Sequence, residues 1–204
     1  MTAYTPSWLP QPNTAYAVEV ARRIGFATVI LLDTTDPAVS HIPVQVDPGD
    51  DERPLTLFFH VAAHNAIAER IDDDSRFLVV FRAVDGYISP TWYDHENVPT
   101  WNYAAVHMYG GAEPLTDSGL RAHLGALLDH HEPALEVREE FIEQYLPDIR
   151  GFRMTTPRVE PAFKLSQDKN RPSFDGALAG VRARQEGALA DEMANLRRQL
   201  GDGG

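Results

Sequence analysis

The chain of 204 residues contains no cysteine, which excludes disulfides, thiolate metal sites and cysteine nucleophiles together. Lysine is almost as scarce: Lys164 and Lys169 are the only two. Basic residues number 18 against 30 acidic ones, and the formal charge of −12 opposes attachment to DNA phosphates. Direct nucleic-acid binding is therefore not expected. No apolar run approaches the roughly 20 residues of a membrane-spanning helix. The opening "MTAYTPSWLPQPNTAY" has no charged stretch leading into an apolar one, so a cytoplasmic protein without a secretory signal is expected. Gly-rich phosphate loops, nucleophile elbows and Walker motifs are absent as well.

What is present is a chain that is 43% apolar, enough for one domain of ordinary size with a helical appendage. "NTAYAVEVARRIG" predicts a short helix capped by Asn13 or Thr14 and ending near Gly25. Strands are expected at Phe26–Leu32, Val39–Val46, Leu55–Val61 and Phe77–Arg82, with a turn at "TTDP". A short helix is expected at Ala62–Ile71, and Asp85-Gly86 reads as a hairpin turn. From Val98 to Met108 the pattern has period two, placing Trp101, Tyr103 and His107 on one side and Thr100, Asn102 and Val106 on the other. "TDSGLRAHLGALLDHHEP" predicts an amphipathic helix with Leu120, Leu124, Leu127 and Leu128 inward, and His123 on the surface. A second helix is expected at "EVREEFIEQYL", then strands around "IRGFRMT" and "RVEPAFKL". From Gly176 the tail reads as helix, with a seam of Leu189, Met193, Leu196 and Leu200. These elements predict an antiparallel barrel with helical decoration, over 1–175, and a helical tail over 176–204 packing on the domain or on a dimer partner.

Three groups of residues carry chemistry. "YISPTWYDHENVPTWNYAAVH" concentrates aromatic and polar side chains between Tyr87 and His107; it is either a stiff cap on the barrel or the wall of a pocket for a flat ligand. His60 and His64 stand i, i+4, but Val61 occupies the place where a zincin carries its glutamate, so the protease reading fails. A single histidine at a strand end still suits an axial haem ligand. Lys164, Ser166 and Gln167 offer a cation, a hydroxyl and an amide within four residues, a set suited to phosphate or carboxylate, or else to a turn after the last strand.

The blocks "HIP", "YISPTWY", "VPTWNYAAVHMYG" and "FKLSQDKNRP", in that order, resemble the PaiB-type family of FMN-binding negative transcriptional regulators. The resemblance runs from "YTPSW" to "FKLSQ". It implies the α+β, antiparallel split β-barrel of pyridoxamine-phosphate-oxidase-like flavoproteins, a homodimer, and FMN at the subunit interface with a redox or regulatory role. The implied cofactor residues are His60, Asn65, Ser89, Trp92, Tyr93, Trp101, Asn102, Tyr103, Lys164, Ser166 and Gln167. The chain also resembles the haem-dependent piperazate synthases, which close an N–N bond in an N-hydroxylated amino acid. That alternative implies haem b on His60, with His64 as the fallback ligand. Two positions depart from the family pattern: Ala63 stands where arginine is usual, followed by an extra His64, and Ala162 stands where glycine is usual.

Overall fold

A computed structural model describes residues 6–32, 35–72, 74–155 and 157–201. The expected "TTDP" turn and the "YTPSW" block therefore lie partly outside the described residues, as does the end of the tail. Among the described residues eight strands lie side by side in the order Glu113–Pro114, Ile149–Thr155, Thr56–Ala62, Ala38–Asp47, Phe26–Leu31, Phe77–Ile88, Thr100–Gly110 and Arg158–Lys164, and the chain divides into two compact units.

One unit comprises Ala21–Phe81 and Met108–Arg158. It holds strands β1 (Phe26–Leu31), β2 (Ala38–Asp47) and β3 (Thr56–Ala62), helix α2 (Ala66–Arg70) and the first part of β4 (Phe77–Ile88). Later come the end of β5 (Thr100–Gly110), the short β6 (Glu113–Pro114), α3 (Asp117–His131), α4 (Glu139–Tyr145) and β7 (Ile149–Thr155). Pairing is antiparallel, with Thr28 opposite His41, Val44 opposite Phe59 and His60 opposite Gly151. Alternation then sends Leu57, Phe59, Phe152 and Met154 inward. Phe59 lies 5.9 Å from Phe77 and 5.6 Å from Phe152 between ring centroids. Burying each such side chain contributes ~1.5–3 kcal/mol.

The other unit comprises Met1–Val20, Arg82–His107 and Val159–Gly204. Helix α1 (Thr14–Ile24) starts there, and Asn13 caps it by accepting from the Tyr16 amide at 2.9 Å, as the sequence predicts. The same unit holds the end of β4, most of β5, most of β8 (Arg158–Lys164), α5 (Arg171–Ala183) and α6 (Gly187–Leu200). Its core includes Ile88, Val106, Phe163, Phe174 and Val181. Leu189, Met193 and Leu196 of the tail seam are buried within it, while Leu200 is half-exposed.

Four expectations need correction. Asp85-Gly86 is no turn, since β4 runs straight through it. A Cβ on Gly86 would lie 2.4 Å from Glu186 Oε2 and 2.5 Å from Leu189 Cδ2, so glycine serves close packing of the tail here. The helix expected from Ala62 begins only at Ala66, because Asn65 caps it through the Ile67 amide. On α3, Leu120 and His123 are the buried residues, whereas Leu124, Leu127 and Leu128 are half-exposed. The tail is two helices rather than one, broken around Gln185 at φ +63°, and the first starts at Arg171, ahead of Gly176.

Candidate functional site

Strand β5 alternates as predicted, and the structure shows which face turns inward. Asn102 is fully buried with Ala104 and Val106, while Trp101 is 51% exposed and Tyr103 is half-buried on the other face. Beside Asn102 runs the segment that leaves β8. Its Lys164 ammonium donates to Thr100 Oγ1. Ser166 is buried with φ at +61°, a left-handed conformation that costs a non-glycine residue of order 1 kcal/mol or more. In that conformation its hydroxyl accepts from Asn102 Nδ2 at 3.0 Å and lies 3.5 Å from the Tyr93 hydroxyl.

Gln167 holds this bend in place. Its Oε1 accepts from the Leu165 amide at 2.6 Å, and its Nε2 donates to Phe163 O at 2.8 Å and Pro10 O at 3.0 Å. Three bonds to backbone leave it a brace rather than a ligand-binding group. Gln11 fixes the neighbouring N-terminal segment, exchanging two hydrogen bonds of 2.9 Å with the Phe163 backbone.

Tyr93 is positioned by the loop before β5. Ser89 caps a single 3₁₀ turn at Pro90–Trp92, accepting from the Thr91 amide. Trp92 then packs on α5, where a Cβ on Gly176 would sit 2.1 Å from its carbonyl and one on Gly180 2.2 Å from its ring. Asp94 ties the loop to the start of α5. Ser173 donates to its carboxylate and Asn170 Nδ2 reaches it at 3.2 Å, so Ser173 first and His95 next hold its pKa down at about 2.

The result is a cavity of about 200 Å³ whose walls include Tyr93, Thr100, Asn102, Lys164, Ser166 and Lys169. Both lysines of the chain line it. Lys169 pairs with Asp168 at 2.7 Å, and its ammonium lies 5.8 Å from the Tyr93 ring centroid. Two cations, three hydroxyls and the Asn97 and Asn102 amides face it with one carboxylate, Asp168, already paired to Lys169; the balance is a donor-rich cradle, the chemistry of a phosphate or carboxylate site. Among the sequence candidates, Tyr93, Asn102, Lys164 and Ser166 are brought together. Ser89, Trp92 and Gln167 are occupied in holding the cradle's frame. Trp101 and Tyr103 do not line the cavity; the Trp101 indole donates to Asp85 Oδ1 at 3.1 Å and meets the Tyr87 ring edge-on.

His60 belongs to the other unit, and it carries a contact that the sequence did not suggest. His123, expected on the surface, is only 3% exposed and lies 3.0 Å from His60 (Nε2 to Nδ1). Its Nδ1 meets Gln45 Oε1, and its ring stacks on Phe58 with centroids 6.5 Å apart. A carbonyl oxygen only accepts, so His123 carries its proton on Nδ1 and accepts from His60 Nδ1. The His60 Nε2 is then left with a lone pair. Burial lowers the pKa of His60, and burial followed by the neighbouring His60 lowers that of His123 to about 4. His64 is exposed in a turn rather than one helical turn beyond His60, and Asn65 is bound to Ser40 and the α2 amide. No group of three or more potential metal ligands occurs among the described residues.

Residues 3–158 match the family described as "Putative FMN-binding domain". The chain belongs to this family. The match includes Tyr93 and Asn102 and stops short of Lys164 and Ser166. The chain is also similar to the Protease synthase and sporulation protein PAI 2 of Bacillus subtilis, with 30% identity over 200 residues, 95% of either chain. With an uncharacterised Saccharomyces cerevisiae protein the identity is 33% over 129 residues, covering 57% of this chain and 74% of that one. Among solved structures, the FAD and haem binding protein from Mycobacterium smegmatis has a TM-score of 0.59 at 16% identity, over 75% of this chain and 72% of that one. A conserved hypothetical protein from Mycobacterium tuberculosis has a TM-score of 0.52 at 13% identity, over 74% and 84%. The family read from the motif blocks is thus the right one, and the fold is the antiparallel split barrel with helical insertions. No helix among the described residues is long and apolar enough to cross a membrane.

Proposed function

We propose that the protein binds FMN, its phosphate held by Lys164 and Ser166, at a homodimer interface and in a redox or regulatory role. The observation that carries this reading is the buried Asn102–Ser166 pair beside Lys164, a prepared anion cradle in a chain of net charge −12. Bound flavin supplies hydride or electron transfer. The residues do the rest: Lys164 offsets phosphate charge, Asn102 orients the Ser166 hydroxyl, and Gln167 keeps the bend that presents it. A cavity of about 200 Å³ falls below the ~300–1,000 Å³ of pockets that enclose a whole organic ligand. The remainder of the flavin extends beyond the cavity, and a second copy of the chain would cover the face that this one leaves open. The name of PAI 2, a protease synthase and sporulation protein, supports keeping a regulatory role beside a redox one. The test is an FMN titration followed by flavin absorbance near 450 nm, with light scattering on the loaded protein. Saturable binding to a dimer is expected; absence of FMN binding, or full loading of a monomer, overturns the reading.

The His60–His123 contact favours a second reading, haem b held by His60 in an enzyme acting on N–O or N–N bonds. An axial histidine commonly donates its other ring proton to a neighbour that fixes the ring, and His123 is placed to accept it. The Mycobacterium smegmatis neighbour, described as binding FAD and haem, supports carrying this reading beside the first.

A further inference from the structure

Trp8 and Val98 also line the cradle's cavity, yet they are 67% and 69% exposed. Asn102 and Ser166 are buried, so the polar groups form its floor and these two large apolar side chains form its rim. Trp8 is not merely a loose terminal residue. The turn that carries it is closed by the Leu9 amide donating to Pro6 O at 2.9 Å. Leu9 is 5% exposed, Pro10 is held by Gln167, and Gln11 is bonded to the Phe163 backbone of β8. The backbone on the C-terminal side of Trp8 is thus fixed by four side-chain or turn contacts while the indole itself faces water. A single exposed apolar residue is ordinary, but Trp8 and Val98 stand together at the edge of a polar cavity, where a bound ligand would cover them.

Volume decides what covers them. The cavity of about 200 Å³ accommodates the anionic arm of an organic ligand but not a fused ring system as well. The ring must lie over the rim. We infer that Trp8, with Val98 beside it, is the stacking seat for the planar ring of the cradle's ligand, so that the site selects a flat aromatic ring joined to an anionic arm. This rests on the FMN reading and adds a residue to it. The indole face offers offset stacking to a flavin ring, and the ring in turn shields the lysine–phosphate contacts from water.

The test uses full-length protein and three probes: FMN, riboflavin and inorganic phosphate. Trp8→Ala is expected to weaken FMN and riboflavin alike by about tenfold, the scale of a lost aromatic stack with its buried area. Competition by inorganic phosphate should be unchanged. Trp8→Phe should keep FMN affinity within about threefold while removing most of the quenching of tryptophan fluorescence on binding. Because Trp8 is two-thirds exposed, both variants are expected to fold, which circular dichroism checks. If wild type binds FMN but Trp8→Ala binds it equally well, the stacking seat is wrong and the FMN reading stands. Loss of phosphate competition in Trp8→Ala would mean that the residue shapes the cradle instead, which also overturns the inference. A wild type that binds no FMN removes both.

Discussion

The buried His123 makes the fold sensitive to acid in a way that can be calculated. Its pKa is about 4 in the folded protein against an ordinary 6.5. Between those values the unfolded chain binds the proton and the folded chain does not, so stability falls as pH drops through this window. It is fully present above pH 6.5 and lost by pH 4. A gap of roughly 2.5 pH units at about 1.4 kcal/mol per unit gives ~3 kcal/mol in all, of which ~2 kcal/mol is gone at pH 5. His60, also lowered by burial, adds in the same direction. Such a loss is a large fraction of the ~5–15 kcal/mol that holds a domain together. The assay is urea unfolding between pH 5 and pH 8, in wild type and in His123→Phe. Phenylalanine keeps an aromatic ring against Phe58 but cannot titrate. Carboxylates contribute alike to both proteins and cancel in the difference. Wild type should lose ~2 kcal/mol more than the variant on going from pH 8 to pH 5. Parallel profiles, agreeing within about 0.5 kcal/mol, would refute the assignment of a neutral, proton-excluding His123.

Three other outcomes are expected. Lys164→Ala should weaken FMN ten- to a hundredfold by calorimetry, the ~1.5–3 kcal/mol of a charge-assisted hydrogen bond; unchanged affinity removes Lys164 from the anion site. In protein reconstituted with haem, His60→Ala should abolish the histidine-ligated spectrum while His64→Ala leaves it intact, and an unaltered spectrum in His60→Ala ends the ligation idea. Gly180→Ala drives a methyl into the Trp92 ring and should cost ~1–3 kcal/mol, seen as a lower urea midpoint at constant slope.

Much of the frame was legible because it depends on neighbours in sequence. The Asn13 cap and the period-two pattern of β5 are local signals, and family blocks fall on β5 and on the segment that leaves β8. Gly86 and His123 were misread for the opposite reason. Asp-Gly is a strong local turn signal, but what sets Gly86 is the approach of Glu186 and Leu189 from about a hundred residues away. His123 lies among leucines on a helix whose pattern predicts a leucine face, and only its partners on β2 and β3 explain why an imidazole is buried there. Gln167 looked like a ligand-binding amide because sequence shows the group and not the three backbone atoms it serves. Trp8 carries no periodic signal of its own, because a lone aromatic in a proline-rich segment has no repeat to place it.

The pairing of scarce lysine with abundant arginine has a practical side. Every cation of the chain outside the cradle is a guanidinium, inert to reagents that acylate or reductively alkylate amines. Apart from the terminal amine, such a reagent can modify only the two positions that face the cavity. Covalent chemistry aimed at lysine is therefore address-specific in this protein without any engineering. A fluorophore or crosslinker attached that way reports from the cradle itself, and mass spectrometry of the adducts counts occupancy one amine at a time.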